Sequence, residues 1–83
     1  DVMEAIFPVA RTDIGNIGIA ICHEGVYPEV VRGLAMNGAE IIIRPTLIEP
    51  AVMNGMWEVQ NRAHAIFNNV FVVAPNLGPE IRP

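Results

Sequence analysis

The sequence predicts an α/β protein, a β-hairpin followed by a β-α-β-α-β run, and three observations predict it. Apolar runs at 17–21, 41–43 and 70–74 are short and nearly uninterrupted, as strands covered on both faces require. Between them, 28–37 and 55–68 carry apolar residues at helical spacing. The joins are short and marked by glycine, proline or asparagine.

In chain order, residues 1–5 carry no signal. Residues 6–9 are a short strand candidate, interrupted by Pro8 and so placed at an edge or a strand start. Arg11, Thr12, Asp13 and Ile14 continue it. Gly15-Asn16 is a two-residue turn signal suited to a primed hairpin turn. Residues 17–21 then return antiparallel and end on Cys22. Pro28 suits the first helical position, where its missing N–H had no partner to lose, and Glu29 complements the positive end of the helix dipole. Val30, Val31, Leu34 and Ala35 share a face, and Asn37-Gly38 is a stop signal. The three isoleucines 41–43 form the next strand, which makes a right-handed parallel crossover with the first. Arg44-Pro45-Thr46 ends it, and 45–53 is a loop with two prolines. Asn54 or Gly55 caps a second helix, with Met56, Val59, Ala63, Ile66 and Phe67 on its apolar face. Residues 70–74 are a third buried strand, and 75–78 a loop.

The chain has 83 residues and 52% apolar composition. A chain of this size buries only about 60–65% of its unfolded surface, so the apolar excess predicts part of a larger layered protein, a single partial domain over 1–83. A start without methionine at Asp1 and an end just past a loop at Pro83 fit that expectation. The net charge of −4, with no lysine, argues against a nucleic-acid partner. No apolar run reaches the roughly 18–20 residues that span a bilayer, and no signal-peptide pattern opens the chain. The one cysteine permits no internal disulfide, which points to a reducing, cytoplasmic setting.

Cys22 stands where a strand ends and a helix is about to begin, near backbone N–H groups able to stabilise a thiolate and, later, an oxyanion. In open α/β sheets ligands gather beyond the carboxyl ends of strands, which brings Cys22 and Arg44 to one rim. Taken alone, the cysteine reads more readily as a small buried core residue. The segment Ile21-Cys22-His23-Glu24-Gly25, then Tyr27-Pro28-Glu29-Val30-Val31-Arg32 and Gly38-Ala39-Glu40, resembles the nucleophile segment of the nitrilase superfamily of carbon–nitrogen hydrolases. The Cys-His-Glu-Gly form, with Asn68-Asn69 later, is most similar to the aliphatic amidase and formamidase branch. The match extends from about Phe7 to Asn76 and departs at Phe67, where the family pattern usually has glutamate.

The resemblance implies a segment of a four-layer α-β-β-α sandwich assembled into homo-oligomers, without metal or organic cofactor. It implies a small amide or nitrile substrate and hydrolysis through a thioester at Cys22, with the His23 backbone N–H as oxyanion donor. The glutamate base and the lysine of the family's Glu–Lys–Cys triad have no match in this sequence. Glu24, Tyr27, Arg44, Pro45 and Thr46 are candidates for substrate contact or for support of the cysteine. Glu24 is expected to pair with Arg44 or Arg62, since a carboxylate beside a thiolate is unfavourable unless a cation offsets it. Two other readings stay open. One is a Cys–His thiol hydrolase on another α/β fold, using His23 or His64. The other is a non-catalytic interaction piece with a buried cysteine.

Overall fold

The computed structural model describes residues 5–46 and 55–75. Strands β1 (Val9–Thr12), β2 (Gly15–Ile19), β3 (Ile41–Ile43) and β4 (Phe71–Val73) form one mixed sheet in the order β1-β2-β3-β4. The first pair is antiparallel and the other two are parallel. Helix α1 (Pro28–Met36) links β2 to β3, and α2 (Met56–Asn68) precedes β4. A 3-10 turn over Cys22–Val26 lies between β2 and α1.

The hairpin begins later and turns earlier than the sequence suggests. β1 starts after Pro8 because a proline has no N–H for the ladder; residues 5 and 6 are helical. Thr12 pairs with Gly15 and Arg11 with Asn16, so the loop is Asp13-Ile14, not Gly15-Asn16. The Thr12 hydroxyl organises it, donating to the Gly15 carbonyl at 2.6 Å and accepting from the Ile14 N–H at 3.3 Å. Gly15 is instead the first residue of β2, at φ +135°, which an L side chain rarely adopts.

Helix α1 follows the sequence closely. Pro28 opens it. Val31 and Leu34 are buried, and Val30 and Ala35 pack beside them. Gly38, at φ +97°, closes it. The Gly38 N–H reaches the Ala35 carbonyl at 2.9 Å, and the Ala39 N–H reaches that of Leu34 at 3.0 Å, the paired bonds of a Schellman cap. The core lies between the helices and one face of the sheet, centred on Ala20, Val31, Leu34, Ala39, Ile42 and Val70.

The opposite face is open. The register aligns Ile17, Ile41 and Phe71 in one row and Ile19, Ile43 and Val73 in the next. Phe71 is 77% exposed, Ile19 53% and Val73 51%. The strands expected to be buried on both faces are therefore covered on one face only, with Ile42 buried and Ile41 and Ile43 half-buried. An apolar sheet face of this kind is what one half of a two-sheet sandwich presents to the other.

Helix α2 departs most from expectation. Met56, Val59, Ile66 and Phe67 of the expected core face are exposed, with Ile66 and Phe67 both at 75%. The inward stripe is Trp57, Gln60, Asn61 and His64 at offsets of three, four and seven, and His64 is buried. The physical reason lies beneath that stripe, in the buried side chain of Arg44.

Candidate active site

The parallel ladder runs on past the ends of the strands. Ala20 N–H donates to the Ile43 carbonyl at 3.0 Å and Cys22 N–H to the Pro45 carbonyl at 2.8 Å. On the other side Arg44 N–H donates to Val73 at 2.8 Å and Thr46 N–H to Pro75 at 3.0 Å. Pro45 does not stop this pairing, because it lacks only the N–H and its carbonyl still accepts. The carboxyl ends of three strands thus meet at one rim, and Cys22 stands on it, half-buried.

Cys22 sits at φ +52°, the left-handed region that a side chain with a Cβ enters at a cost of about 1 kcal/mol or more. Three consecutive residues hold it there. Pro45 accepts its N–H, the Arg44 Nε donates to its carbonyl at 3.2 Å, and the Thr46 Oγ1 lies 3.1 Å from its Sγ. Backbone and side chain are both restrained, and the residue as a whole is half-buried.

The remaining candidates take definite places. The Glu24 carboxylate accepts the Ile21 N–H at 2.7 Å, and the Glu24 N–H returns to the Ile21 carbonyl at 3.0 Å. Glu24 therefore closes the cysteine turn through the backbone; it pairs with neither Arg44 nor Arg62, correcting the expectation. Arg62 pairs instead with Glu58, at 2.7 Å on the helix surface. Tyr27 is 52% exposed; its hydroxyl lies 3.4 Å from His23 Nε2 and the two rings meet edge to face. His64 Nε2 lies 2.6 Å from the Gly25 carbonyl. Neither imidazole bonds Cys22, so no Cys–His pair is formed.

Arg44 has no exposed surface and is enclosed by neighbouring side chains. Its Nη1 donates to Asn61 Oδ1 and its Nη2 to Gln60 Oε1, both at 2.9 Å. Its Cζ stands 4.1 Å from the Trp57 ring centroid. Gly25 roofs it: a Cβ there would overlap the Nε, Cδ and Cζ of Arg44. A buried charge must have polar partners, and that requirement turns the polar stripe of α2 inward. Gln60 and Asn61 are not site candidates from the sequence, and His64 is one only as a catalytic partner for Cys22. Their helical spacing, opposite an arginine at a strand end, was the available signal.

A cleft of about 380 Å³ lies between the helices, lined by Val26, Pro28, Val59, Ala63 and Phe67 among others; it does not include Cys22. Among the described residues, no group of three or more His, Cys, Asp or Glu side chains stands ready to hold a metal ion. No helix among them is long and apolar enough to cross a membrane.

The carbon–nitrogen hydrolase family model matches residues 3–77. The chain belongs to the carbon–nitrogen hydrolase family. Its relatives include the deaminated glutathione amidase of Rattus norvegicus, 37% identical over 70 residues, covering 84% of this chain and 21% of the relative. A carbon–nitrogen hydrolase from Helicobacter pylori G27 superimposes with a TM-score of 0.77 at 34% identity, over 89% of this chain and 29% of the other. A variant of the amidase from Nesterenkonia sp. AN1, carrying the acetamide moiety of fluoroacetamide covalently added at its active site cysteine, superimposes with a TM-score of 0.72. It is 25% identical, over 88% of this chain and 28% of that one. The chain spans about a quarter of the length of the curated relatives it matches. These solved structures share the nitrilase-type α/β fold.

Proposed function

We propose that this chain carries the nucleophile of an enzyme that hydrolyses the carbon–nitrogen bond of a small aliphatic amide. The observation that supports this most is the presentation of Cys22: a left-handed residue at the rim of a parallel sheet, with its N–H, carbonyl and sulfur each engaged by the three residues after β3. Such restraint suits a reacting group better than a packing residue, which needs no special backbone angle. The relatives named as amidases and the cysteine adduct of the Nesterenkonia protein support the same reading.

The Cys22 thiolate adds to the amide carbon, and the carbonyl π electrons move to oxygen. The Thr46 hydroxyl, 3.1 Å from the sulfur, can donate to the thiolate and hold its direction of attack. The His23 backbone N–H receives the oxyanion. Collapse of this intermediate breaks the C–N bond. The nitrogen takes a proton and leaves as ammonia, and a thioester remains on Cys22. Water then attacks the thioester, releasing the carboxylic acid and restoring the thiol. The glutamate that moves these protons and the lysine that assists the oxyanion are implied by the family resemblance, not by residues of this segment. The open apolar sheet face supports a sandwich completed by further strands, the same resemblance suggests a homo-oligomer, and the single cysteine suggests a cytoplasmic setting.

The test is Cys22→Ala in the full-length protein, followed by ammonia release from short aliphatic amides. Turnover is expected to vanish with the fold intact. Retained turnover in a folded Cys22→Ala protein overturns the assignment.

A further inference from the structure

The peptide unit joining Cys22 to His23 has two polar ends, the Cys22 carbonyl and the His23 N–H. A trans peptide is planar, so the two point in opposite directions and cannot turn independently. Whatever grips the carbonyl also aims the N–H. The gripping atom is the Arg44 Nε, at 3.2 Å. A cationic donor on the carbonyl also polarises the amide and strengthens the donor at its other end.

The arginine is itself immobile. It has no exposed surface, and its three nitrogens go to three different residues: Cys22, Asn61 and Gln60. Trp57 stacks on its face at 4.1 Å, and the missing side chain of Gly25 leaves it room. A rigid guanidinium fork serves three fixed directions at once; a lysine ammonium on a flexible stem does not. Through this fork, the inward stripe of α2 is mechanically joined to the cysteine turn.

We propose that Arg44 is the positioning residue of the oxyanion donor. Its guanidinium orients and polarises the peptide after Cys22 so that the His23 N–H meets the charge developing on the substrate oxygen. Arg44 meets the cysteine turn at the Cys22 carbonyl, and its effect on the oxyanion passes through that peptide. The inference rests on the hydrolase reading above and goes beyond it by naming what aims the oxyanion donor.

The experiment compares Arg44→Gln and Arg44→Lys with the parent full-length protein in three reactions. Amide hydrolysis needs the oxyanion donor. So does the binding of a short aliphatic aldehyde, which adds to the thiol as a hemithioacetal. Disulfide exchange of Cys22 with 2,2′-dithiodipyridine, in which the thiolate forms a new S–S bond and 2-thiopyridone leaves, forms no carbonyl oxyanion and does not need it. Losing an oxyanion donor outright costs about 100–1,000-fold in kcat, so misaiming one is expected to lower kcat about 10–100-fold in both variants. KM should stay within about threefold, and aldehyde affinity should fall by the same factor as kcat. The disulfide exchange rate should change by less than about threefold, since its sulfur chemistry is untouched. If either variant does not fold, Gln60→Ala and Asn61→Ala loosen the same arginine, and the same split is expected at smaller amplitude. Exchange falling in step with kcat, or kcat left unchanged, overturns the proposal. A failed hydrolase reading shows itself differently, as turnover that survives Cys22→Ala.

Discussion

Gly25→Ala is a one-methyl change whose cost can be worked from the structure. The new Cβ would overlap the Nε, Cδ and Cζ of Arg44. Neither side can give way freely. The Gly25 carbonyl is engaged by His64 Nε2 at 2.6 Å, and Arg44 is held at Cys22, Gln60 and Asn61. Overpacking a full site costs about 1–3 kcal/mol. Displacing the arginine breaks at least one charge-assisted hydrogen bond, about 1.5–3 kcal/mol more. A total of about 2.5–6 kcal/mol follows, and at about 2–4 °C per kcal/mol for a domain of 150–250 residues, Tm falls by roughly 5–24 °C. The assay is thermal or denaturant unfolding of the full-length protein, with the same change repeated in an Arg44→Ala background. There the clashing Cδ, Nε and Cζ are gone, and the added alanine should cost less than about 1 kcal/mol, a strongly non-additive cycle. An equal cost in both backgrounds, or no cost in either, would refute the packing of Arg44 beneath Gly25.

Two further outcomes come from single residues. Because Cys22 lies at φ +52°, Cys22→Gly should be about 1 kcal/mol more stable than Cys22→Ala, although both lack the thiol; denaturant midpoints compare them. Leu34 is 2% exposed and packs on Gly18 and Ile42, so Leu34→Ala should cost about 2–5 kcal/mol through the cavity it leaves, read from the same unfolding curves.

The β-α-β frame was legible because its signals are local. Pro28, the face of Val31 and Leu34, and Gly38 each state their role within a few residues. The position of Cys22 at the rim follows from that frame. The hairpin loop was misplaced because two signals compete: Gly15-Asn16 is a turn dipeptide, but the Thr12 hydroxyl bonds the Gly15 carbonyl and the Ile14 N–H and turns the chain earlier. The facing of α2 was not legible from apolar spacing, since the helix carries two stripes. The choice between them is made by a residue on another element. Arg44 is buried and needs the acceptors of Gln60 and Asn61, so the polar stripe turns inward and Val59, Ile66 and Phe67 turn out. Pro45 and Thr46 are candidates from the sequence, but the atoms through which they meet Cys22, 23 and 24 positions away, appear only once two parallel strands are in register.

The nucleophile assignment is tested most directly by trapping the intermediate. The full-length protein is quenched with acid during turnover of a short aliphatic amide and digested, and the peptide containing Cys22 is weighed. The expected result is a mass increment equal to the acyl group of the substrate less one hydrogen, located on the Cys22 sulfur and removed by hydroxylamine. An unmodified Cys22 under conditions where product is forming in a burst, or the acyl group on any other residue, contradicts it.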